Sequence, residues 1–200
     1  MHDVDVLGTL DRKIAPGNAA LIVVDVQNDF CSDEGVFAKA GNDVSMVREM
    51  LPNLRRLIDG ARAVGVQVIF VQAIYDPVYL PAPWYERNAR LNFEVPRCVS
   101  GTWGADFYGV APQQGETVVR KHRYSAFVNT ELDLILRSRQ IRTVITTGVA
   151  ARILPHGDFG TSAFNASGIF TSAMSAPRSD TLMRGVASGR AYSTASARNR

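Results

Sequence analysis

Residues 19–26 read AALIVVDV, seven apolar residues interrupted only by Asp25. A continuous apolar run rich in β-branched residues predicts a strand that is buried on both faces of a sheet. Comparable runs predict three more strands, at 66–71 (VQVIFV), 116–120 (ETVVR) and 143–147 (TVITT). Residues 75–113, rich in Pro, Gly and aromatic side chains, predict a long irregular segment between the second and third strands.

Two helices are predicted between these strands. Apolar residues recur three and four apart from Val47 to Val64, which predicts an amphipathic helix that ends at Gly65. Thr130 followed by Asp133 predicts the start of a shorter helix. Repeated strand–helix–strand units predict an α/β fold with a Rossmann-like parallel sheet and flanking helices.

The composition excludes several classes of protein. The chain has 200 residues and two cysteines, Cys31 and Cys98, too few for a disulfide framework or a four-cysteine zinc site. No apolar run approaches the roughly 20 residues that cross a bilayer, so we expect no membrane association. Residues 1–13 contain three Asp and no apolar stretch, so we expect no signal peptide and a cytoplasmic location.

The last quarter of the chain differs from the rest. Residues 151–200 carry six Arg and two Asp, a charge of +4, whereas residues 1–150 carry −1, so the excess of positive charge lies in the last quarter. The nearly neutral remainder gives no reason to expect nucleic-acid binding. Ser, Ala, Gly and Thr supply 26 of these 50 residues, without helical or strand periodicity. We therefore predict a domain at 1–150, incomplete at its C-terminal side, and a disordered tail at 151–200.

Candidate chemistry lies where the predicted strands end. Asp25 ends the first strand, Lys121 follows the third, and Gly148 to Ala150 follow the fourth. Open α/β sheets bind ligands at the carboxyl ends of their strands. A carboxylate and an ammonium group that meet there can move a proton and stabilise a developing anion. The alternative is a plain surface ion pair.

Three motifs resemble the cysteine-hydrolase, or isochorismatase-like, superfamily: ALIVVDVQNDF (20–30), RKHRYSAFVNTELDLILRSRQIR (120–142) and TTGVA (146–150). The resemblance covers about residues 15–150 and is nearest to the ureidoacrylate amidohydrolases. It implies an Asp–Lys–Cys triad with Asp25 as acid and base and Lys121 as its partner. It also implies a non-proline cis peptide at Val149–Ala150, with oxyanion-binding N–H groups there.

The resemblance also implies the surroundings of the site. We expect Gln27, Asn28, Tyr124 and Ser125 to line a pocket for a small-molecule substrate. No cofactor is expected. No metal is expected either, because the histidines lack the Asp-x-His spacing of nicotinamidases. Family members form homo-oligomers, an assembly that an incomplete domain puts in doubt.

One position departs from the family pattern. Leu154 stands where the resemblance places the nucleophilic cysteine. We therefore predict a hydrolase of small linear amide or ureide C–N bonds that is inactive in this chain. Cys31 and Cys98 are expected to be packed cysteines and not replacement nucleophiles. The alternatives are an isochorismatase-type vinyl ether hydrolase, which needs no cysteine, and a non-catalytic binding protein.

The abrupt end of the resemblance suggests a hypothesis about its origin. It stops at Ala150, where the composition also changes. A shift of reading frame near Ala150–Arg152 explains both changes, and natural replacement of the tail is the alternative. Translating the gene in its other forward frames distinguishes them, because a frameshift predicts a helix with a cysteine near its start in one of those frames.

Overall fold

The computed structural model describes residues 7–90 and 96–149, together with the backbone of two short strands farther along the chain. Its helices are α1 (Leu10–Ile14), α2 (Asn28–Cys31), α3 (Val36–Lys39), α4 (Ser45–Ala63), α5 (Ala82–Arg90) and α6 (Leu132–Ser138). Its strands are β1 (Ala19–Val24), β2 (Gln67–Ala73), β3 (Thr117–Lys121), β4 (Thr143–Gly148), β5 (Phe170–Ala173) and β6 (Gly185–Val186). Short 3-10 helices lie at Pro77–Tyr79 and Trp103–Ala105.

The strands form one sheet in the order β3-β2-β1-β4-β5-β6. β1 pairs in parallel with both β2 and β4, and β2 pairs in parallel with β3. This arrangement confirms the predicted parallel α/β sheet. β5 pairs antiparallel with β4, and β6 antiparallel with β5, so the parallel pattern does not continue on the C-terminal side.

β1 lies between β2 and β4, and every one of its six residues is buried. Alternate side chains point to opposite faces. Leu21 belongs to an apolar cluster that includes Leu54 of α4, whereas Ile22 belongs to a second cluster that includes Leu136 of α6. At least one helix thus covers each face of the parallel sheet. Parallel sheets are generally buried on both faces in this way.

The predicted amphipathic helix is α4. Its buried residues are Val47, Leu54 and Ile58, which share one face. Gly65 adopts the left-handed conformation, with φ 77°, shortly after the last helical residue. Glycine is the residue that adopts this conformation without strain, and the predicted end of the helix is confirmed.

The prediction of an irregular segment at 75–113 is wrong in part, because α5 lies within it. Pro83 is the second residue of that helix. A proline in the first helical turn removes an N–H group that has no partner within the helix, so it does not prevent a helix there. The same proline, read from sequence alone, indicates a break.

α6 begins at Leu132, two residues after the predicted start at Thr130. The Thr130 hydroxyl donates to the carbonyl oxygen of Ala126 and accepts from the N–H of Leu132 at 3.3 Å. It therefore closes the preceding turn. Asp133 forms an ion pair with Arg137, at 2.7 Å, instead of capping the helix.

The predicted boundary at residue 150, with a disordered tail at 151–200, lies for the most part outside the described residues and stays a prediction. Among the helices of the described ranges, none has both the length and the apolar character needed to cross a membrane.

Candidate functional site

The carboxyl edge of the parallel strands brings Asp25 and Lys121 together. Asp25 follows the last residue of β1, Lys121 is the last residue of β3, and β2 runs between these two strands. β4 lies on the other side of β1, so the order of the strands reverses there. Ligands of open α/β sheets bind at such a reversal, outside the carboxyl ends of the strands.

Asp25 and Lys121 form a buried ion pair. Lys121 Nζ lies 2.7 Å from Asp25 Oδ2, and each side chain is 2% exposed. Lys121 Nζ also donates to the backbone carbonyl oxygen of Tyr124 at 3.0 Å. The pair is therefore not the surface ion pair that the sequence left open as an alternative. Its burial means that removal of either partner leaves an uncompensated charge inside the protein.

The Asp25 carboxyl group keeps one oxygen unbonded. The Asp25 backbone has φ 55° and its N–H donates to the carbonyl oxygen of Val71 at 3.0 Å, which turns the chain away from the strand. Oδ1 is buried and has no hydrogen-bond partner. Burial raises the pKa of Asp25 above its usual value, and Lys121 opposes this rise. The carboxyl group can therefore accept a hydrogen bond at Oδ1 and can hold a proton more readily than an exposed Asp.

The Gln27 side chain forms hydrogen bonds at the carboxyl edge of the sheet. Its side-chain amide nitrogen donates to the carbonyl oxygens of Ala73 and Ala105, both at 2.9 Å, and its amide oxygen accepts from the Ala73 N–H at 2.8 Å. The side chain is completely buried. It joins the end of β2 to the 3-10 helix Trp103–Ala105, and its predicted contact with substrate stays a prediction.

The residues after Gln27 hold the 75–113 segment against the sheet. Asn28 donates to the carbonyl oxygen of Trp103 at 2.7 Å. Asp29 Oδ2 accepts from the backbone N–H of Cys98 at 2.6 Å. Asp29 also fills the space beside Gly104, where any side chain would collide with its carboxylate. The sequence reading overlooked Asp29, although it belongs to the same motif as Asp25, because its partner is 69 residues away.

Tyr124 and Ser125 follow Lys121 on the same edge. The Tyr124 hydroxyl accepts from Arg87 Nη1 of α5 at 2.6 Å, while its backbone carbonyl binds Lys121. Ser125 is buried, and its hydroxyl oxygen accepts from the Phe127 N–H at 3.2 Å. Tyr124 therefore contacts the ion pair and connects it to α5, whereas Ser125 is the next residue along the chain and contacts Phe127.

The end of β4 approaches β1 closely. Gly148 has φ 123°, and a side chain at this position would collide with the Val24 carbonyl oxygen. Val149 donates its N–H to the same carbonyl oxygen at 3.0 Å. That N–H is therefore engaged within the sheet, so an oxyanion-binding role here needs groups beyond Val149. Ala150, the Val149–Ala150 bond and Leu154 lie outside the described residues.

Both cysteines are buried, as predicted. Burial raises the pKa of Cys31 to about 12, and Asp25 contributes to the rise. Burial likewise raises the pKa of Cys98 well above its usual value. The thiolate is the nucleophilic form of cysteine, and both thiols are held in the neutral form.

No group of three or more His, Cys, Asp or Glu side chains in the described ranges is arranged to hold a metal ion. His122, which follows Lys121 directly, places Nδ1 at 2.8 Å from the Ile74 carbonyl oxygen and stacks on Tyr79. These contacts give His122 a structural role, and the expected absence of a metal stays a prediction.

The isochorismatase domain profile matches residues 19–153, which include the whole parallel sheet and its edge. The chain belongs to the isochorismatase family. It is 37% identical over 154 residues to the ureidoacrylate amidohydrolase RutB of Pseudomonas syringae pv. syringae, an alignment covering 70% of this chain and 63% of that protein. The RutB of Yersinia enterocolitica is 39% identical over 148 residues, 68% of this chain and 64% of that one. The chain thus spans less than two thirds of these relatives.

Solved structures of the isochorismatase family share the fold. A cysteine hydrolase from Pseudomonas syringae pv. phaseolicola has a TM-score of 0.56 and 28% identity, over 66% of this chain and 60% of that one. An N-carbamoylsarcosine amidase from Thermoplasma acidophilum has a TM-score of 0.52 and 25% identity, over 68% of this chain and 72% of that one. The family assignment therefore covers both the sheet and the Asp25–Lys121 edge.

Proposed function

We propose that the Asp25–Lys121 edge is the binding site of a small linear amide or ureide, in an amidohydrolase lineage of the isochorismatase family. The buried ion pair with its unbonded Asp25 Oδ1 carries this proposal. An acceptor oxygen inside a dry site attracts an N–H group, which both amides and ureides present. The ureidoacrylate amidohydrolases and the N-carbamoylsarcosine amidase among the relatives are named for such compounds.

The ion pair can carry acid–base chemistry as well as binding. Asp25 can take a proton from an attacking group and return it to a leaving nitrogen. The Lys121 ammonium, 2.7 Å from Oδ2, stabilises the ionised carboxylate before it takes the proton and after it has returned it. Tyr124, which accepts from Lys121, and Ser125, which follows it, are the residues that we expect to line the pocket. Gln27 and Asn28 contribute by fixing the 3-10 helix Trp103–Ala105 against the sheet.

We further propose that this chain does not hydrolyse amides through a cysteine. The family resemblance places the nucleophile at Leu154, and a leucine side chain cannot attack a carbonyl carbon. Cys31 and Cys98 are poor substitutes because burial holds both thiols in the neutral form. Loss of a triad nucleophile typically lowers kcat by several orders of magnitude.

One observation favours a second function, the hydrolysis of a vinyl ether without cysteine. That reaction begins with proton donation to the double bond, and a carboxylic acid with a raised pKa is a suitable donor. Burial raises the pKa of Asp25 in this way. Turnover of isochorismate that is lost in Asp25→Asn, with no turnover of ureides, favours this second function over the first.

Calorimetric titration tests the proposed binding. N-carbamoyl-β-alanine, a linear ureide, should bind to the full chain and should not bind to Asp25→Asn, which replaces the acceptor carboxylate with an amide. Asp11→Asn, on exposed α1, is the matched control and should bind as the unchanged protein does. Absence of binding to the unchanged protein, or equal binding to Asp25→Asn, contradicts the proposal.

A further inference from the structure

Helix α5 contacts the carboxyl edge of the parallel strands at two points. The Trp84 ring centroid lies 5.7 Å from that of Tyr75, which is two residues beyond the end of β2. Arg87 Nη1 donates to the hydroxyl oxygen of Tyr124, which is three residues beyond the end of β3, at 2.6 Å. The helix therefore lies against the segments that follow both strands.

Both contacts come from one face of α5. Trp84, Arg87 and Asn88 are three and four residues apart, a spacing that places side chains on the same side of a helix. Asn88 is buried, and its side-chain nitrogen donates to the Trp84 carbonyl oxygen at 2.6 Å. Tyr85 is exposed on another face. Packing therefore fixes the orientation of α5 and directs Arg87 toward the edge of the sheet.

Tyr124 restrains the Arg87 guanidinium group in two ways. One is the hydrogen bond from Nη1, and the other is the ring, whose centroid lies 4.9 Å from the guanidinium carbon, within the range of a cation–π interaction. A guanidinium group has five N–H donors in a rigid plane. Among the described residues, Tyr124 supplies the hydrogen-bond acceptor that Arg87 uses, so its other donors remain available to a ligand.

The charge of Arg87 is not compensated by a described residue. Its neighbour in sequence, Glu86, is paired with Arg90, with Oε2 and Nη2 3.7 Å apart. No carboxylate oxygen in the described ranges lies within ion-pair distance of Arg87. A restrained guanidinium group without a carboxylate partner is suited to bind a carboxylate through two parallel hydrogen bonds.

Tyr124 also sets the separation between Arg87 and the buried ion pair. Its backbone carbonyl oxygen accepts from Lys121 Nζ at 3.0 Å, and its hydroxyl oxygen accepts from Arg87. The ammonium and guanidinium groups thus lie at opposite ends of one tyrosine. A linear ligand can place an amide or ureide group at Asp25 Oδ1, which has no hydrogen-bond partner, and a charged end at Arg87.

We propose that Arg87 is a specificity-determining residue of this site, which binds a carboxylate at the far end of the linear amide or ureide. The proposal rests on the function proposed above and narrows the ligand to an anion. Asp25 compensates the charge of Lys121, whereas no described carboxylate compensates that of Arg87. The negative charge of a ligand is therefore attracted to α5 and not to the ion pair.

Two ligands of equal length test the assignment in calorimetric titrations of the full chain. They are N-carbamoyl-β-alanine, which carries a carboxylate, and N-carbamoyl-β-alaninamide, which is uncharged at that end. The unchanged protein should bind the carboxylate more tightly. Arg87→Gln should weaken binding of the carboxylate by about three- to tenfold and leave binding of the uncharged ligand unchanged, because only the carboxylate uses the guanidinium group.

Arg90→Gln is the matched control, since it removes one positive charge from the next position on α5 that pairs with Glu86. It should preserve the ratio of the two affinities. An equal fall of this ratio in Arg90→Gln overturns the inference, because a general effect of charge then explains it. Equal weakening of both ligands in Arg87→Gln also overturns it, because that result indicates a disturbed site without recognition of the carboxylate.

The two proposals can fail separately. A ratio that Arg87→Gln leaves unchanged, while Asp25→Asn abolishes binding of both ligands, overturns the inference and leaves the proposed function standing. Failure of the unchanged protein to bind either ligand overturns both.

The salt dependence of binding gives an independent measurement. Salt screens the attraction between an exposed guanidinium group and a carboxylate, so the affinity for N-carbamoyl-β-alanine should fall as the salt concentration rises. The affinity for the uncharged ligand should change little. Arg87→Gln should reduce the salt dependence for the carboxylate ligand, and Arg90→Gln should not. The same salt dependence in Arg87→Gln as in the unchanged protein contradicts the inference.

Discussion

Lys121 Nζ lies 2.7 Å from Asp25 Oδ2, although the two residues come from strands that are not neighbours in the sheet. The lysine side chain crosses the end of β2 to reach the carboxylate. Both charges are removed from water, so each depends on the other for compensation. This relationship makes the pair a determinant of stability as well as the centre of the candidate site.

Lys121→Met tests that dependence. The variant leaves the Asp25 carboxylate buried without a partner, which should lower the free energy of unfolding by about 3–5 kcal/mol at neutral pH. Lys121 opposes the rise in the pKa of Asp25 that burial causes, so its removal should raise that pKa further. A group with a raised pKa contributes stability below its unfolded-state pKa and loses it as the pH rises through its folded-state pKa.

The free energy of unfolding that Lys121→Met removes should therefore be larger at pH values above the pKa of Asp25 than below it. Urea denaturation across the acidic and neutral range measures it. Lys39→Met, on an exposed lysine of α3, is the control and should change little. A loss of unfolding free energy that is small, or that does not depend on pH, shows that Asp25 and Lys121 do not compensate each other's charge.

Gln27→Ala should destabilise the fold without affecting charge. It breaks three buried hydrogen bonds and leaves backbone groups of Ala73 and Ala105 with fewer partners. We expect a loss of about 3 kcal/mol in the free energy of unfolding. Gln72→Ala, which breaks one half-buried hydrogen bond to Ala105, should lose about 1 kcal/mol. Equal effects of the two substitutions contradict the structural role of Gln27.

Gly148→Ala should be strongly destabilising because two features exclude a side chain. Its φ of 123° strains any other residue, and its Cβ position collides with the Val24 carbonyl oxygen. We expect thermal denaturation to show a loss of at least about 2 kcal/mol. Gly60→Ala, in the last turn of α4 with open space around it, should instead stabilise by about 0.5–1 kcal/mol. Tolerance of Gly148→Ala shows that β4 does not approach β1 as described.

The ion pair between Arg62 of α4 and Glu116 predicts a second pH dependence. Arg62 Nε lies 2.7 Å from Glu116 Oε1, and this hydrogen bond lowers the pKa of Glu116 below its usual value of 4.5. A lowered pKa contributes stability above the unfolded-state pKa, and that stability is lost as the pH falls through the folded-state pKa. Glu116→Gln should therefore lower the free energy of unfolding by about 2 kcal/mol at neutral pH.

At strongly acidic pH the two proteins should converge, because Glu116 is then protonated in both the folded and the unfolded state. Chemical denaturation at a series of pH values measures this convergence. Glu49→Gln, on the exposed side of α4, should behave as the unchanged protein at every pH. A difference between Glu116→Gln and the unchanged protein that persists at low pH shows that the pair acts through packing and not through charge.

The sheet and the meeting of Asp25 with Lys121 could both be predicted from the sequence, and each prediction has a physical reason. Buried parallel strands require continuous apolar runs, and residues 19–26 form one. The rule that sites lie at carboxyl ends of strands then selects Asp25 and Lys121 from among the charged residues. Both inferences use only local pattern and chain order, which a sequence contains.

Tyr75, Asp29 and the start of α6 illustrate what the sequence lacks. Asp29 binds the N–H of Cys98, and Tyr75 is enclosed by Trp84 and Arg97, contacts that depend on how residues 75–113 fold back. No periodicity encodes that path. The Thr130 hydroxyl donates to the Ala126 carbonyl oxygen and accepts from the Leu132 N–H, and the residue type alone does not distinguish this turn from a helix cap.

We propose that this chain binds a linear amide or ureide at Asp25 and does not cleave it through a cysteine. The most direct test records binding and ammonia release in one sample of purified protein with ureidoacrylate and N-carbamoyl-β-alanine. We expect saturable binding that requires Asp25 and no ammonia above the level of Asp25→Asn. Ammonia release that Cys31→Ser or Cys98→Ser abolishes contradicts the claim, as does the absence of binding.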